Sequence, residues 1–268
     1  MKIGIIGNRA KKETAETINA FIGFIRSSGY EIVEFPTHTE IDGVDVVLVL
    51  GGDGAILHAA VVAAQKNIKI IGINYGTLGF LAEYEKGEAQ CVKELLMGLE
   101  DDNCRIVKRS LLQVEVAGRK YYALNEIAIQ RDCGLNMENA RQILSLEVNA
   151  HEGVTAVTGD GILICTPTGS TAYSLSAGGA IITPEVPVFM MTPICAFSMR
   201  ARPIVFSDTE EFTISNLEGK AVVLADGRSV ANLPKGATIK IKKAPFTADF
   251  PVKDTSVFLS KVKNKLNG

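Results

Sequence analysis

The sequence predicts an α/β protein whose first third forms a parallel sheet covered by helices and whose remainder is mostly β. Two apolar runs, Val46–Leu50 and Ile68–Ile73, are continuously hydrophobic rather than alternating. Such runs are typical of parallel strands that are buried on both faces. Beyond Asp101 the pattern changes to many short apolar stretches separated by glycine and by Asn or Asp, which favours a β-rich region.

Strands and helices alternate along the first third. The predicted strands are Lys2–Ile6, Glu31–Phe35, Val44–Leu50 and Ile68–Ile73, and the predicted helices are Glu13–Ser28, Ala55–Lys66 and Ala89–Leu99. Because parallel strands need a crossover connection between them, this alternation indicates a Rossmann-like α/β domain, which we assign to residues 1–100.

The middle of the chain contains short strand-like stretches. They are Leu111–Val116, Ile127–Gln130, Ile143–Val148, Val154–Val157, Ile162–Thr166, Glu211–Ile214, Ala221–Leu224 and Thr238–Lys242. They predict a mostly β, sandwich-like domain over residues 101–251. The tail Thr255–Asn267 spaces its apolar residues as an amphipathic helix among lysines.

Composition restricts the class of partner. The 268 residues are 47% hydrophobic and 22% charged, and the formal net charge of −2 with a pI near 6.0 offers no basic field for nucleic acid or membrane. The five cysteines lack a C-x-x-C pair, which argues against zinc and against a secreted disulfide framework. No apolar run approaches the roughly 18 residues of a membrane span, and the N-terminus lacks a signal-peptide core. We therefore expect a cytoplasmic protein.

A glycine-rich turn follows the buried strand directly and precedes a helix. It consists of Gly51, Gly52, Asp53 and Gly54. Ligands of open α/β sheets bind at the carboxyl ends of the strands, where glycine amides can approach phosphate oxygens closely. A plain turn of this composition is the alternative, but the position favours a binding site, with Asp53 supplying a carboxylate beside it.

Three further stretches carry polar groups at strand ends. Gly72–Phe80 is a strand followed by a glycine loop that ends in an aromatic ring, and Asn125-Glu126 joins two apolar strands. The third runs from Gly159-Asp160-Gly161 through a strand to Cys165–Ala180, which is rich in threonine, serine and glycine. Hydroxyls and exposed amides can hold a diphosphate without lysine, and an amide side chain both donates and accepts hydrogen bonds. Each short motif could also be a simple turn, and for Asp226-Gly227 a hairpin turn is favoured.

Taken together, these motifs resemble those of the NAD kinases, which phosphorylate the adenosine 2′-hydroxyl of NAD to form NADP, and the resemblance spans nearly the whole chain. It implies that the donor is ATP or polyphosphate, that Mg²⁺ or another divalent metal assists, and that the chain forms a homodimer or homotetramer. It also implies that residues 252–268 return to the first domain. Asp53 is then the catalytic residue. The residues implied to bind substrate are Gly51, Gly52, Gly54, Phe80, Asn125, Glu126, Asp160, Thr171, Ala172, Tyr173 and Ser176, and no metal ligand is assigned.

Several positions depart from the family pattern. Ala55 stands where threonine usually follows the glycine turn, which removes a hydroxyl from the helix start; Ala180, Arg228 and Phe197 also differ. Ala55 keeps a non-catalytic NAD(H)-binding sensor open as an alternative. Phosphofructokinases and diacylglycerol-type lipid kinases share the Gly-Gly-Asp-Gly turn, but the other motifs favour NAD over a sugar or a lipid.

Overall fold

The computed structural model describes residues 1–7, 12–76, 79–132, 143–151, 153–252 and 258–266. The chain divides into two compact units. The first contains residues 1–109 and 246–268, and the second contains residues 110–245. The long strands at residues 105–116 and 238–252 each begin in one unit and end in the other.

The first unit is a five-stranded parallel sheet with helices. Its elements are β1 (Lys2–Gly7), α1 (Lys12–Ser27), β2 (Glu31–Glu34), β3 (Val46–Gly51), α2 (Asp53–Gln65), β4 (Lys69–Asn74), β5 (Tyr84–Glu85) and α3 (Ala89–Glu100). The strand order is β2-β1-β3-β4-β5, and every pair is parallel. The predicted Rossmann-like sheet is therefore confirmed.

Helices cover both faces of this sheet. Apolar side chains of α1 and α3 share a core with alternate strand residues such as Ile3, Leu48 and Ile73. Helix α2 packs closely over β4, because a Cβ at Gly72 would lie 2.6 Å from Ile56 Cδ1. Every residue of β3 is buried, as its continuous apolar run predicts.

The second unit contains two six-stranded sheets. Its strands are β6 (Arg105–Val116), β7 (Arg119–Ala123), β8 (Glu126–Arg131), β9 (Leu144–Ala150), β10 (Gly153–Gly159), β11 (Gly161–Cys165), β12 (Val188–Ile194), β13 (Ile204–Ser207), β14 (Phe212–Glu218), β15 (Ala221–Ala225), β16 (Arg228–Leu233) and β17 (Thr238–Val252), with the short helix α4 (Tyr173–Ser176) after β11. The sheet orders are β10-β9-β14-β17-β6-β7 and β13-β12-β11-β8-β15-β16. One buried core draws on both sheets, including Leu112 and Val114 from one and Ile127 and Ile129 from the other. This arrangement confirms the predicted β sandwich.

Some strands lack the expected sequence pattern. Strands β7 and β13 lie at sheet edges, where charged or exposed residues interrupt the apolar alternation, and β12 contains Pro193. The last helix, α5 (Phe258–Leu266), belongs to the first unit, as the resemblance implies. The predicted tail residues 255–257 and 267 lie outside the described residues. No helix in the described part of the chain combines the length and apolar character needed to cross a membrane.

Candidate functional site

The Gly-Gly-Asp-Gly turn is the junction between β3 and α2. Gly51 is the last residue of β3, Gly52 is extended, and Asp53 is the first helical residue, so the helix begins two residues earlier than predicted. The carbonyl of Gly52 accepts hydrogen bonds from the amides of Ala55 (3.0 Å) and Ile56 (3.2 Å). Asp53 is thereby placed at the carboxyl end of a central parallel strand, where α/β proteins bind ligands.

Two backbone amides hold the Asp53 carboxylate. The amide of Phe80 donates to Oδ2 at 2.7 Å, and the amide of Leu81 donates to Oδ1 at 3.0 Å. A Cβ at Gly79 would lie 1.9 Å from Asp53 Oδ1, so this approach requires glycine at that position. Gly79 thus shapes the candidate site, although the sequence alone did not single it out. Its signal was present as the glycine that precedes Phe80.

The asparagine of the Gly72–Phe80 segment shapes the loop beside this turn. Asn74 is buried, its Nδ2 donates to the two Glu85 oxygens at 3.2 and 3.0 Å, and its Oδ1 accepts from the Gly76 amide at 3.0 Å. Thr77 and Leu78 of this segment lie outside the described residues. The Phe80 ring lies 6.3 Å from that of Phe258 on α5. In the first unit the structure therefore brings together Gly51, Gly52, Asp53, Gly54 and Phe80.

A second carboxylate organises the corner that contains Asn125 and Glu126. Asp226 accepts hydrogen bonds from the amides of Leu124 (2.8 Å), Asn125 (2.8 Å) and Glu126 (3.1 Å). Asp226 and Gly227 both have positive φ, at 47° and 75°, which is the geometry of the tight hairpin turn between β15 and β16. The predicted Asp-Gly hairpin turn is present, but its carboxylate does more than turn the chain, because it fixes the backbone of a predicted binding segment.

Glu126 is a buried carboxyl with an unused oxygen. Its residue is 6% exposed, and its Oε2 has no hydrogen-bond partner among the described residues. Burial, together with the nearby Asp226 charge, raises the pKa of Glu126 to about 8. Burial also raises the pKa of Asp226 to about 6, although the three amides and Arg228 oppose that shift. A buried acceptor without a partner is a free energy cost that a ligand donor could remove.

The hydroxyl-rich loop after β11 divides into inward and outward side chains. Inward hydroxyls tie the loop to its surroundings: Thr166 Oγ1 donates to the Leu124 carbonyl at 2.6 Å, Ser170 Oγ donates to the Pro167 carbonyl at 2.7 Å, and Ser174 Oγ lies 2.8 Å from Thr192 Oγ1. A Cβ at Gly169 would lie 2.1 Å from the Asn125 carbonyl oxygen. The loop and the Asn125 corner are therefore packed backbone against backbone.

The predicted binding residues of this loop are the more accessible ones. Tyr173 is 37% exposed and Ser176 is exposed, while Thr171 and Ala172 are half-buried. Gln130 Nε2 donates to the Tyr173 hydroxyl at 2.6 Å, and Thr171 Oγ1 donates to the Thr168 carbonyl at 3.3 Å. Partial burial raises the pKa of Tyr173 above its ordinary value. Sequence pattern alone could not separate these outward groups from the buried Thr166, Ser170 and Ser174.

Asp160 lies in the turn between β10 and β11. Its Oδ1 is 3.0 Å from Arg131 Nη2, and its carbonyl accepts the Arg131 amide at 2.9 Å. The ion pair joins this turn to the end of β8, the strand that begins with Glu126. In the second unit the structure therefore collects Asn125, Glu126, Asp160 and the Thr171–Ser176 segment around β8 and β11.

The described residues contain no group of three or more His, Cys, Asp or Glu side chains that could hold a metal ion.

Two family models match the chain. The ATP-NAD kinase N-terminal domain matches residues 9–102, and the ATP-NAD kinase C-terminal domain matches residues 124–251. Among curated proteins, the NAD kinase of Carboxydothermus hydrogenoformans is 38% identical over 82% of this chain and 78% of its own length. That of Lachnoclostridium phytofermentans is 35% identical over 91% of this chain and 90% of its own length.

Solved structures share the fold. Yeast NADH kinase complexed with NADH superposes with a TM-score of 0.84 at 23% identity, covering 100% of this chain and 88% of that one. An NAD kinase from Archaeoglobus fulgidus in complex with ATP gives a TM-score of 0.77 at 22% identity, covering 100% and 98%. At these identities the likeness establishes the architecture.

Proposed function

Because the chain belongs to the NAD kinase family, we propose that it transfers the γ-phosphoryl group of ATP to the adenosine 2′-hydroxyl of NAD and forms NADP. One observation carries the proposal. The Asp53 carboxylate is fixed by two amides at the end of a parallel strand, while its side chain remains 33% exposed. It can therefore be oriented and still reach a substrate.

Asp53 is the proposed catalytic residue. Its carboxylate accepts a hydrogen bond from the 2′-hydroxyl, orients the oxygen toward the phosphorus, and takes the proton as the new P–O bond forms. Phosphoryl transfer has a loose transition state, so positioning contributes more than base strength. The amides of Phe80 and Leu81 and the absent side chain of Gly79 supply that positioning.

The second unit supplies the proposed dinucleotide-binding groups. The Asn125 side chain can donate and accept at the adenine or ribose, and the unpartnered Glu126 oxygen can accept a substrate donor. Tyr173 offers a partly exposed ring for stacking, and Thr171, Ala172 and Ser176 line the same loop. Asp160, held by Arg131, is proposed for the nicotinamide end.

A divalent metal fits this site as a partner of the donor's phosphates. Mg²⁺ usually keeps several waters and is held by one or two carboxylates together with substrate phosphates, so the accessible carboxylate of Asp53 is of the kind that could serve as its protein ligand. When bound, the metal neutralises charge that develops on the β- and γ-phosphate oxygens. Use of polyphosphate in place of ATP, the cytoplasmic location and the homodimeric or homotetrameric state stay predictions.

The direct test is incubation of the purified protein with NAD, Mg²⁺ and either ATP or polyphosphate, with NADP measured by an NADP-specific dehydrogenase. We expect NADP with ATP, and the polyphosphate arm defines the donor range. The sensor alternative rests on Ala55, which leaves the start of α2 without a hydroxyl side chain. Calorimetric binding of NAD without NADP formation from either donor would replace the kinase with the sensor.

A further inference from the structure

A lysine from the far end of the chain lies against the catalytic turn. Lys265 Nζ on α5 is 3.8 Å from Asp53 Oδ2 and 4.4 Å from the centroid of the Phe80 ring. All three residues belong to the first unit. The sequence predicts an amphipathic tail, and the resemblance implies that this tail returns to the first domain, but neither indicates that an ammonium group lies at the turn.

The lysines of α5 have different surroundings. Lys261 Nζ donates to the Ala82 carbonyl at 2.6 Å and lies 3.7 Å from Glu83 Oε2, so it anchors the helix. Lys265 lies four residues later, on the same face of the helix, and extends toward the turn. Lys263 is exposed and lies two residues from each of them, on a different face. Because Lys261 holds the helix in place, the ammonium group of Lys265 lies near Asp53.

Lys265 is not required to hold the Asp53 carboxylate. Both carboxylate oxygens already accept backbone amides at 2.7 and 3.0 Å, whereas the ammonium group stands beyond hydrogen-bond distance at 3.8 Å. The two side chains are 32% and 33% exposed, and such accessible ion pairs contribute little to stability. A flexible four-carbon stem leaves the ammonium group able to move a few ångströms to a stronger anion.

A donor phosphate that reaches Asp53 brings negative charge next to an existing carboxylate. Unless a cation lies nearby, this repulsion opposes both binding and transfer. Lys265 already places an ammonium group on a flexible stem 3.8 Å from the Asp53 carboxylate. Phosphoryl-transfer sites commonly use such a cation on the transferred group.

We propose that Lys265 is a second catalytic residue, which leaves Asp53 and bonds the transferring phosphoryl group of the donor. This proposal rests on the proposed function. In the step, a bond forms between the 2′-oxygen and the γ-phosphorus while the bond from that phosphorus to the β–γ bridging oxygen breaks. The 2′-hydroxyl proton passes to Asp53, and ADP leaves with the electron pair of the broken bond on its β-phosphate oxygen. Lys265 stays protonated and stabilises the equatorial oxygens.

Three variants test the role of the charge. Lys265→Met keeps the length of the side chain and its contact with Phe80 but removes the charge, Lys265→Arg keeps the charge, and Lys263→Met is the matched control on the same helix. For Lys265→Met we expect kcat to fall about 10- to 100-fold and KM for ATP to rise, with KM for NAD within twofold of wild type. We expect Lys265→Arg to recover part of the rate, and Lys263→Met to match wild type.

The outcomes separate the two proposals. If kcat and KM for ATP of Lys265→Met stay within twofold of wild type, Lys265 has no catalytic role. An equal loss for ATP and NAD, with a lowered melting temperature and no recovery by Lys265→Arg, would mean that the helix is only structural and would overturn the proposal. If wild type forms no NADP from any donor, the proposed function fails by itself. Calorimetric titration with ATP then tests Lys265 separately. If wild type and Lys265→Met bind ATP with equal affinity, the proposed role of Lys265 is overturned.

Discussion

Asp53 and Asp226 are two aspartates that accept backbone amides, and they differ in what remains available afterwards. Asp53 accepts two amides at the start of a helix, and a third of its side chain stays exposed beside a lysine. Asp226 accepts three amides from consecutive residues at the start of β8. The Asp53 carboxylate is held in place but stays partly exposed, whereas the Asp226 carboxylate fixes the backbone of residues 124–126.

This difference shows that hydrogen bonding to a carboxylate does not by itself distinguish chemistry from structure. The exposed fraction of the carboxylate and the charges beside it make that distinction, because a catalytic group must reach its substrate. Asp226 instead fixes the backbone of Asn125 and Glu126, which we propose bind the dinucleotide. The comparison therefore predicts opposite losses when each aspartate is changed.

The largest effect is expected for Asp53→Asn. The change keeps the shape but removes the charge that orients and deprotonates the 2′-hydroxyl, so kcat should fall by about 100-fold or more while NAD affinity changes far less. Steady-state kinetics and calorimetric NAD titration measure the two quantities. The unfolding midpoint serves as the control, and turnover within threefold of wild type would remove Asp53 from the mechanism.

Asp226→Ala should show the reverse pattern. It leaves three amides of the corner without their acceptor, and we expect the free energy of unfolding to fall by about 2–4 kcal/mol. Asp226→Asn, which keeps one acceptor oxygen and tolerates positive φ, should lose less. Urea denaturation measures both variants. A stable Asp226→Ala protein with abolished turnover and intact NAD binding would contradict the structural role.

The buried carboxyl of the corner should make stability depend on pH. Glu126 has a pKa of about 8 in the folded protein against its ordinary value of 4.5, so the folded state binds more protons between these values. The free energy of unfolding should therefore fall as pH rises from about 5 to 8 and level off above. Glu126→Gln should remove much of this fall, which is on the order of several kcal/mol, since one pKa unit corresponds to about 1.4 kcal/mol. Denaturation curves at pH 5, 7 and 9 measure it, and identical slopes in both proteins would be inconsistent with a buried, protonated Glu126.

The smallest effects concern two partly exposed side chains of the second unit. Asn125→Ala and Tyr173→Ala should each weaken NAD binding by about 1–2 kcal/mol through lost hydrogen bonds and stacking, seen mainly as a raised KM for NAD. The Asn125 backbone stays fixed by Asp226, so stability should change little. Ser174→Ala is the control for a buried side chain of the same loop. We expect it to lower the free energy of unfolding more than it changes the affinity for NAD. Unchanged NAD affinity in both folded variants would move the dinucleotide site elsewhere.

Several features of the fold followed from local pattern. Continuous apolar runs predicted the buried parallel strands, and the Gly-Gly-Asp-Gly position predicted a strand, a turn and a helix, although the helix starts at Asp53 rather than Ala55. Edge strands β7 and β13 could not be found in this way, because exposed and charged side chains replace the apolar alternation there.

By itself, the sequence determined the α/β class, the β-rich second part and the location of Asp53 at a strand end, since these depend on the periodicity of neighbouring residues. Only the tertiary structure decided which groups meet Asp53 and which residues Asp226 holds. The amides at Phe80 and Leu81 are 27 and 28 residues from Asp53, and Leu124 is 102 residues from Asp226. Lys265 reaches the turn from the last helix. Such contacts depend on the order of strands in the sheets and on the close approach that glycine permits, and no local pattern encodes them.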